Sequence, residues 1–163
     1  MKNFYLISLV FIIFVFNTET SEGQQLTQIR IPDLEKILSS GEDKLLVINF
    51  WATWCPPCVK ELPHFQKVAK EYNKDKVSFL LVSLDFPSQI DSHLKPFLKK
   101  NKVALDVVLM MDTDQNEWID KVDPSWQGNI PVTLMLNNPR KIRKFHSGDM
   151  NETELRDMIN SLL

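Results

Sequence analysis

Cysteine is scarce in this chain, with two residues among 163, too few to staple a disulfide-rich miniprotein and too few for a four-thiolate zinc site. Glycine is scarce as well, at four, and the nine prolines form no repeated tripeptide, so collagen-like and low-complexity architectures are excluded. An excess of one charge is also missing. The 19 Lys and Arg against 21 Asp and Glu leave a formal net charge of −2, which gives no electrostatic footprint for nucleic acid. What is present, 44% hydrophobic and 25% charged residues, fits one ordinary globular domain.

One long hydrophobic run stands at the amino end. Residues 4–16 contain only Ser8 as a frankly polar residue, follow Lys2, and precede a polar tract over 17–25. A run this short spans a bilayer poorly, and its flanks are those of an export signal. The expected organisation is a signal peptide over 1–23 and a single domain over 24–163. Ser21 and Gly23 satisfy the small-residue rule for a cut before Gln24, and Thr18 and Thr20 offer one before Ser21. Removing 1–23 takes away Lys2, Glu19 and Glu22 and leaves a net charge of −1. The expected location is outside the cytoplasm, in a bacterial periplasm, with membrane contact only if the signal is kept.

Beyond that point, strand and helix patterns alternate. A short strand over 27–31 precedes a helix over 32–39 started by Pro32, with Leu34, Ile37 and Leu38 on one face. Residues 45–51 form a nearly continuous apolar run, the pattern of a strand covered on both faces. From 55 to 72 the apolar positions Val59, Leu62, Phe65, Val68, Ala69 and Tyr72 recur at three and four, so a helix is predicted, interrupted by Pro63. A strand over 77–84, a helix over 90–100, a strand over 107–111 and a short helix over 117–122 follow. Strands over 132–136 and 141–145 are joined by an Asn-Asn-Pro-Arg turn, and Asn151 caps a last helix carrying Leu155, Met158, Ile159 and Leu162 inward. This order predicts an α/β sandwich with a mixed sheet.

The two cysteines sit where that order makes them reactive. A buried strand ends at Trp51, three residues turn the chain, and a helix begins at Cys55. Free amides and the positive end of the helix dipole favour a thiolate there. Pro56 and Pro57 suit a first turn, because the amide hydrogens they lack have no intrahelical partner. Cys58, one turn on, is close enough to attack a mixed disulfide on Cys55. Val59 rather than His follows Cys58, which excludes haem attachment. His64, His93 and His146 fall in different predicted elements, so no metal cluster is expected, and Met110 and Met111 read as core filler. No cofactor is implied.

The block Phe50-Trp51-Ala52-Thr53-Trp54-Cys55-Pro56-Pro57-Cys58, with Glu61-Leu62-Pro63 after it and Ile130-Pro131-Val132-Thr133 much later, resembles the thioredoxin superfamily. Within it, residues 26–163 are similar to the exported TlpA- and ResA-like thiol-disulfide oxidoreductases. The resemblance implies a thioredoxin fold, a central mixed sheet flanked by helices, with a helix-strand insertion over 89–122 before the cis-proline. It implies Cys55 as the exposed attacking cysteine, Cys58 as the buried one, and Pro131 as a cis-proline facing the disulfide. A cis bond there leaves the Ile130 backbone free to pair with an extended substrate.

Departures from the family pattern bear on mechanism. Thioredoxin has a buried Asp on the strand before its active site, where this chain has Asn49, which accepts no proton. ResA-like proteins resemble one another in an acidic residue near the end of the next strand, and Asp85 is the candidate proton acceptor for Cys58; its bland alternative is a carboxylate opening a loop. The dipeptide between the cysteines lacks the His of the strongly oxidising members, which favours a reducing couple. Trp54 and Trp126 are candidate substrate contacts alongside Pro56, Pro57, Ile130 and Pro131, and packing is the alternative for both tryptophans. Lys60 and Glu61 read as solvated charges on the open side of the helix.

The leading expectation is a thiol-disulfide oxidoreductase that reduces disulfides in client proteins, apocytochrome c among the candidates, and is itself re-reduced by a membrane thiol-transfer donor. An oxidase or isomerase, with electrons flowing the other way, and a copper-binding module using Cys55 and Cys58 are the alternatives.

Overall fold

The computed structural model describes residues 26–163; the expected signal over 1–23 lies outside them. Six strands form one sheet: β1 (Thr27–Ile29), β2 (Leu45–Trp51), β3 (Val77–Ser83), β4 (Asp106–Met110), β5 (Val132–Asn137) and β6 (Ile142–Ser147). Their order across the sheet is β1-β4-β3-β2-β5-β6. The first four in that order are parallel, and β5 and β6 each join antiparallel, so the sheet is mixed as expected. The apolar run of β2 puts it centrally, between β3 and β5, with six of its seven residues buried. Strand β6 lies at an edge and carries Arg143 and Lys144 outward, charges that blunt pairing with another chain.

Five α-helices cover the sheet: α1 (Ile31–Leu38), α2 (Pro56–Ala69), α3 (Lys95–Lys100), α4 (Ile119–Val122) and α5 (Glu152–Asn160). The two-residue period of β2 sorts its side chains between layers. Ile48 and Phe50 pack with Leu34 and Leu38 of α1 and with Trp118, Val122 and Trp126. Leu45 and Val47 pack with Phe65 and Val68 of α2 and with Leu155 and Ile159 of α5. Trp51 belongs to the same parity and packs with Cys58, Leu62, Leu94 and Leu98. Asn49, between Val47 and Trp51, therefore points toward α2.

Several elements differ in their bounds from the sequence expectation, two of them by about a turn. The helix expected over 90–100 begins as a π-helical turn, Ile90–Leu94, before α3. Lys95 donates its N–H to Ile90 O, five residues back, and Pro96 has no N–H with which to continue an ordinary ladder. The last turn of the helix expected over 55–72 is absent from α2, which ends at Ala69 after running through Pro63.

Candidate active site

The site is built at the junction of β2 and α2. Cys55 is the N-cap of α2, with extended backbone, and its Sγ accepts the N–H of Cys58 at 3.3 Å. Pro56 and Pro57 fill the first two helical positions, so two of the amides that would converge on a helix N-terminus are missing. Cys58 supplies the one N–H to the sulfur, and the N–H of Val59 goes to the Cys55 carbonyl at 3.1 Å. Cys55 and Cys58 are joined by a disulfide. Cys58 is fully buried and Cys55 retains 4% exposure, so Cys55 is less open than the exposed cysteine that the resemblance implies.

Across from the sulfur lies the loop before β5. The Ile130–Pro131 peptide bond is cis, and the Ile130 carbonyl oxygen stands 3.7 Å from Cys55 Sγ. This loop is pinned from several sides. Trp126 Nε1 donates to Asn129 O at 2.7 Å, Asn129 Nδ2 to Ser147 Oγ at 2.7 Å, and Gly148 N to Pro131 O at 2.9 Å. Gly128 sits at φ 81°, a left-handed conformation, and a Cβ there would meet Gln115 Oε1 at 3.1 Å. Trp126 is thus placed in the core, 2% exposed, with Phe50 and Trp118 around it. Substrate contact is corrected to packing here, because the ring offers no face to solvent and acts on the site only by holding Asn129.

Asp85, the candidate proton acceptor, is buried and bonded to the turn that precedes Cys55. Thr53 donates its N–H to both carboxylate oxygens, at 3.2 and 3.1 Å, and its hydroxyl at 2.5 Å, while Ser83 Oγ donates at 2.8 Å. No hydrogen bond joins Asp85 to either cysteine among the described residues. Trp54 stands on the same turn and is 52% exposed.

Glu61 was read from the sequence as solvated, and the structure overturns this. It is 1% exposed, on the stripe Cys58, Glu61, Leu62, Phe65 and Val68 that α2 presents to the sheet. Asn49 Nδ2 donates to Glu61 Oε1 at 2.8 Å and to Thr133 Oγ1 at 3.1 Å, and Met150 N donates to Glu61 Oε2 at 2.8 Å. Burial pushes the Glu61 carboxyl up to about 7, against the bonds from Met150 and Asn49, which pull it down, and with a smaller upward push from Asp149. The spacing from Cys58, three residues along one helix, was the available signal: it puts the two side chains on one face. Lys60 remains on the surface, 3.6 Å from Asp149.

His64, His93 and His146 lie in three different elements: α2, the π-helical turn and β6. Among the described residues no group of three or more His, Cys, Asp or Glu is gathered. His64 Nδ1 instead lies 3.1 Å from Met150 O.

Known proteins resemble this chain in sequence and in fold. The AhpC/TSA family model covers residues 18–145. The chain belongs to the AhpC/TSA family. It is 32% identical over 151 residues to the thiol-disulfide oxidoreductase ResA of Bacillus subtilis, covering 91% of this chain and 79% of that one. It is 29% identical over 143 residues to the sporulation thiol-disulfide oxidoreductase A of the same organism, covering 88% and 76%. Among solved structures, a thioredoxin-related protein from Neisseria meningitidis serogroup B superposes with a TM-score of 0.65 at 26% identity, over 77% of this chain and 88% of that one. This AhpC/TSA member is a thiol-disulfide oxidoreductase of the type of ResA and the sporulation oxidoreductase, with Cys55 and Cys58 as its cysteine pair.

Proposed function

We propose that the protein is a reductant of client disulfides, exported as one domain over 24–163 after loss of residues 1–23. The observation that carries this reading is Cys55 at the N-cap of α2, with Cys58 buried one turn behind it and Ile130 O 3.7 Å from its sulfur. In the reduced protein the Cys55 thiolate attacks one sulfur of a client disulfide. A bond forms between Cys55 and that sulfur, and the client's other sulfur leaves as a thiolate that takes up a proton. Cys58 then attacks Cys55 Sγ, releases the second client sulfur, and closes the intramolecular disulfide. Two electrons pass to the client, and a dithiol donor at the membrane restores the pair.

Cys58 must lose its proton for the second step. Glu61 is assigned as the acceptor in place of Asp85, because it shares a helix face with Cys58 and its carboxyl titrates at about 7, where a general base works best. Asp85 holds the Thr53 turn in place. Reduction is favoured over oxidation because the prolines at the first two positions of α2 leave the Cys55 sulfur one amide donor, and no His stands between the cysteines. A thiolate stabilised so little makes a weak oxidant. Apocytochrome c stays among the candidate clients.

The test is covalent trapping on an exported disulfide-bonded client. Reduced Cys58→Ser protein should accumulate a mixed disulfide through Cys55, seen as an added client mass, and Cys55→Ser should accumulate none. Equal trapping by both variants would break the assigned roles.

A further inference from the structure

A cavity of about 240 Å³ lies against Trp54, the residue before Cys55, and is not used by the disulfide chemistry itself. Trp54, Phe86 and Trp118 line it, together with Asp85, Asp112 and Thr113. Trp54 and Phe86 are 52% and 54% exposed, and among the described residues the other exposed large apolar side chain is Leu163, at 46%. Two half-exposed aromatic rings lining one cavity, one of them adjacent in sequence to the attacking cysteine, are the composition of a docking anchor site. Trp54, directly before Cys55 in the chain, ties the cavity to the active-site turn.

Size and charge choose the occupant. Pockets for small-molecule ligands run from about 300 to 1,000 Å³, so this one suits a single side chain of a polypeptide. The segment from Met111 to Asp120 bordering it contains Asp112, Asp114, Glu117 and Asp120 and neither Lys nor Arg. Arg30 answers Asp112 at 2.6 Å, but among the described residues no basic side chain is paired with Asp85, Asp114 or Glu117. Aromatic walls attract a cation as well as an aliphatic stem, and the acidic border adds to that attraction. A Leu in the same place satisfies the walls alone, and a Glu meets like charge.

We propose that this cavity receives the side chain of a lysine or arginine of the client polypeptide, within about three residues of the client cysteine that bonds to Cys55, roughly 10 Å of extended chain. The proposal rests on the reductase reading and adds a rule for client choice: a basic residue near the target disulfide speeds its reduction.

The experiment measures reduction rates of disulfide-bonded peptides carrying Lys, Leu or Glu at each of the three positions on either side of the cysteine, with hydroxyethyl disulfide as a substrate that has no side chain to dock. At one position Lys should exceed Glu by about tenfold and exceed Leu, and the ratio should shrink as salt is added. The Lys-to-Glu ratio at that position should collapse in Thr113→Lys, which places a cation at the cavity, and fall in Phe86→Ala; both residues are exposed, so both variants should fold. A preference for Leu, or equal rates at every position while hydroxyethyl disulfide is still reduced, would overturn the proposal and leave the reductase reading intact. Failure to reduce hydroxyethyl disulfide as well would bring down both.

Discussion

Asn49 on β2 donates its amide to Glu61 on α2 at 2.8 Å, and both side chains are buried. The acceptor is a carboxyl whose burial moves its titration to about 7, and the donor stands where thioredoxin carries a carboxylate. A neutral amide in that position leaves the region with one acid in place of two. Among the described residues the remaining Asn49 oxygen has no partner, so the amide has capacity in reserve for a change at Glu61.

Stability should depend on pH through Glu61. Its carboxyl titrates near 4.5 when unfolded and about 7 when folded, so between those values the folded protein holds more protons than the unfolded chain. Stability from this group is therefore fully present below about pH 4.5 and is lost as pH rises through about 7, by up to roughly 3 kcal/mol. Urea unfolding across pH 4.5 to 8.5 should show that fall in wild type and a flatter profile in Glu61→Gln. The Gln variant can keep the Met150 bond through its oxygen and donate to the Asn49 oxygen after an amide flip. A slope unchanged in the variant would remove Glu61 as its source.

Catalysis should separate along the same residue. In Glu61→Gln, the first attack by Cys55 should proceed as in wild type, while resolution by Cys58 slows and the mixed disulfide accumulates. Rapid acid quench with mass detection resolves the two steps. For general-base assistance the expected loss in the second step is about 100-fold or more below pH 8. Slowing confined to the first step would assign Glu61 another role.

Replacing Asn49 by Asp should place two carboxyls within hydrogen-bond reach of one another inside the fold. Like charges cannot both ionise there, so the pair should titrate in two separated steps with the upper one raised. The variant should be destabilised by on the order of 3 kcal/mol at pH 8, with much of that recovered at pH 5. Equal destabilisation at both values would mean that the loss is one of packing.

The amount of this that could be read in advance follows from the range of each interaction. The run over 45–51 announced a central strand because burial on both faces writes a continuous apolar pattern, and the positions of Cys55, Pro56 and Pro57 followed from where that strand stops. Glu61 was misread because a charge next to Lys60 looks solvated. Its actual partners are Asn49, 12 residues before it, and Met150, 89 residues after it, and no local pattern reports them. Trp126 was offered to substrate because its loop had no visible core, yet Phe50 and Trp118 provide one from distant elements. Phe86 went unnoticed for the opposite reason: an apolar residue beside a strand passes for core, and it is half exposed.

Trp126 then carries a stability expectation. Trp126→Ala removes a ring packed on Phe50, Trp118 and Phe145 together with the indole bond to Asn129, and should cost about 3 to 5 kcal/mol. Chemical denaturation measures it. A loss below about 1 kcal/mol would mean that the ring is not part of the core.

Pro57 is the second helical position, from which an ordinary residue can donate its N–H to an N-cap side chain. Pro57→Ala should therefore add a donor at the Cys55 sulfur, lower the thiol's titration point and make the couple more oxidising. Thiolate absorbance against pH and equilibration with glutathione check both. An unchanged thiol titration would show that the missing donor is not what keeps the pair reducing.

The reduction potential of the Cys55–Cys58 couple, measured by equilibrating the purified protein against a dithiothreitol or glutathione series, tests the assigned direction of electron flow most directly. A value near that of thioredoxin, about −270 mV, is expected for a pair with one amide donor and no intervening His. A value near about −120 mV would make the protein an oxidant and contradict the reductase reading.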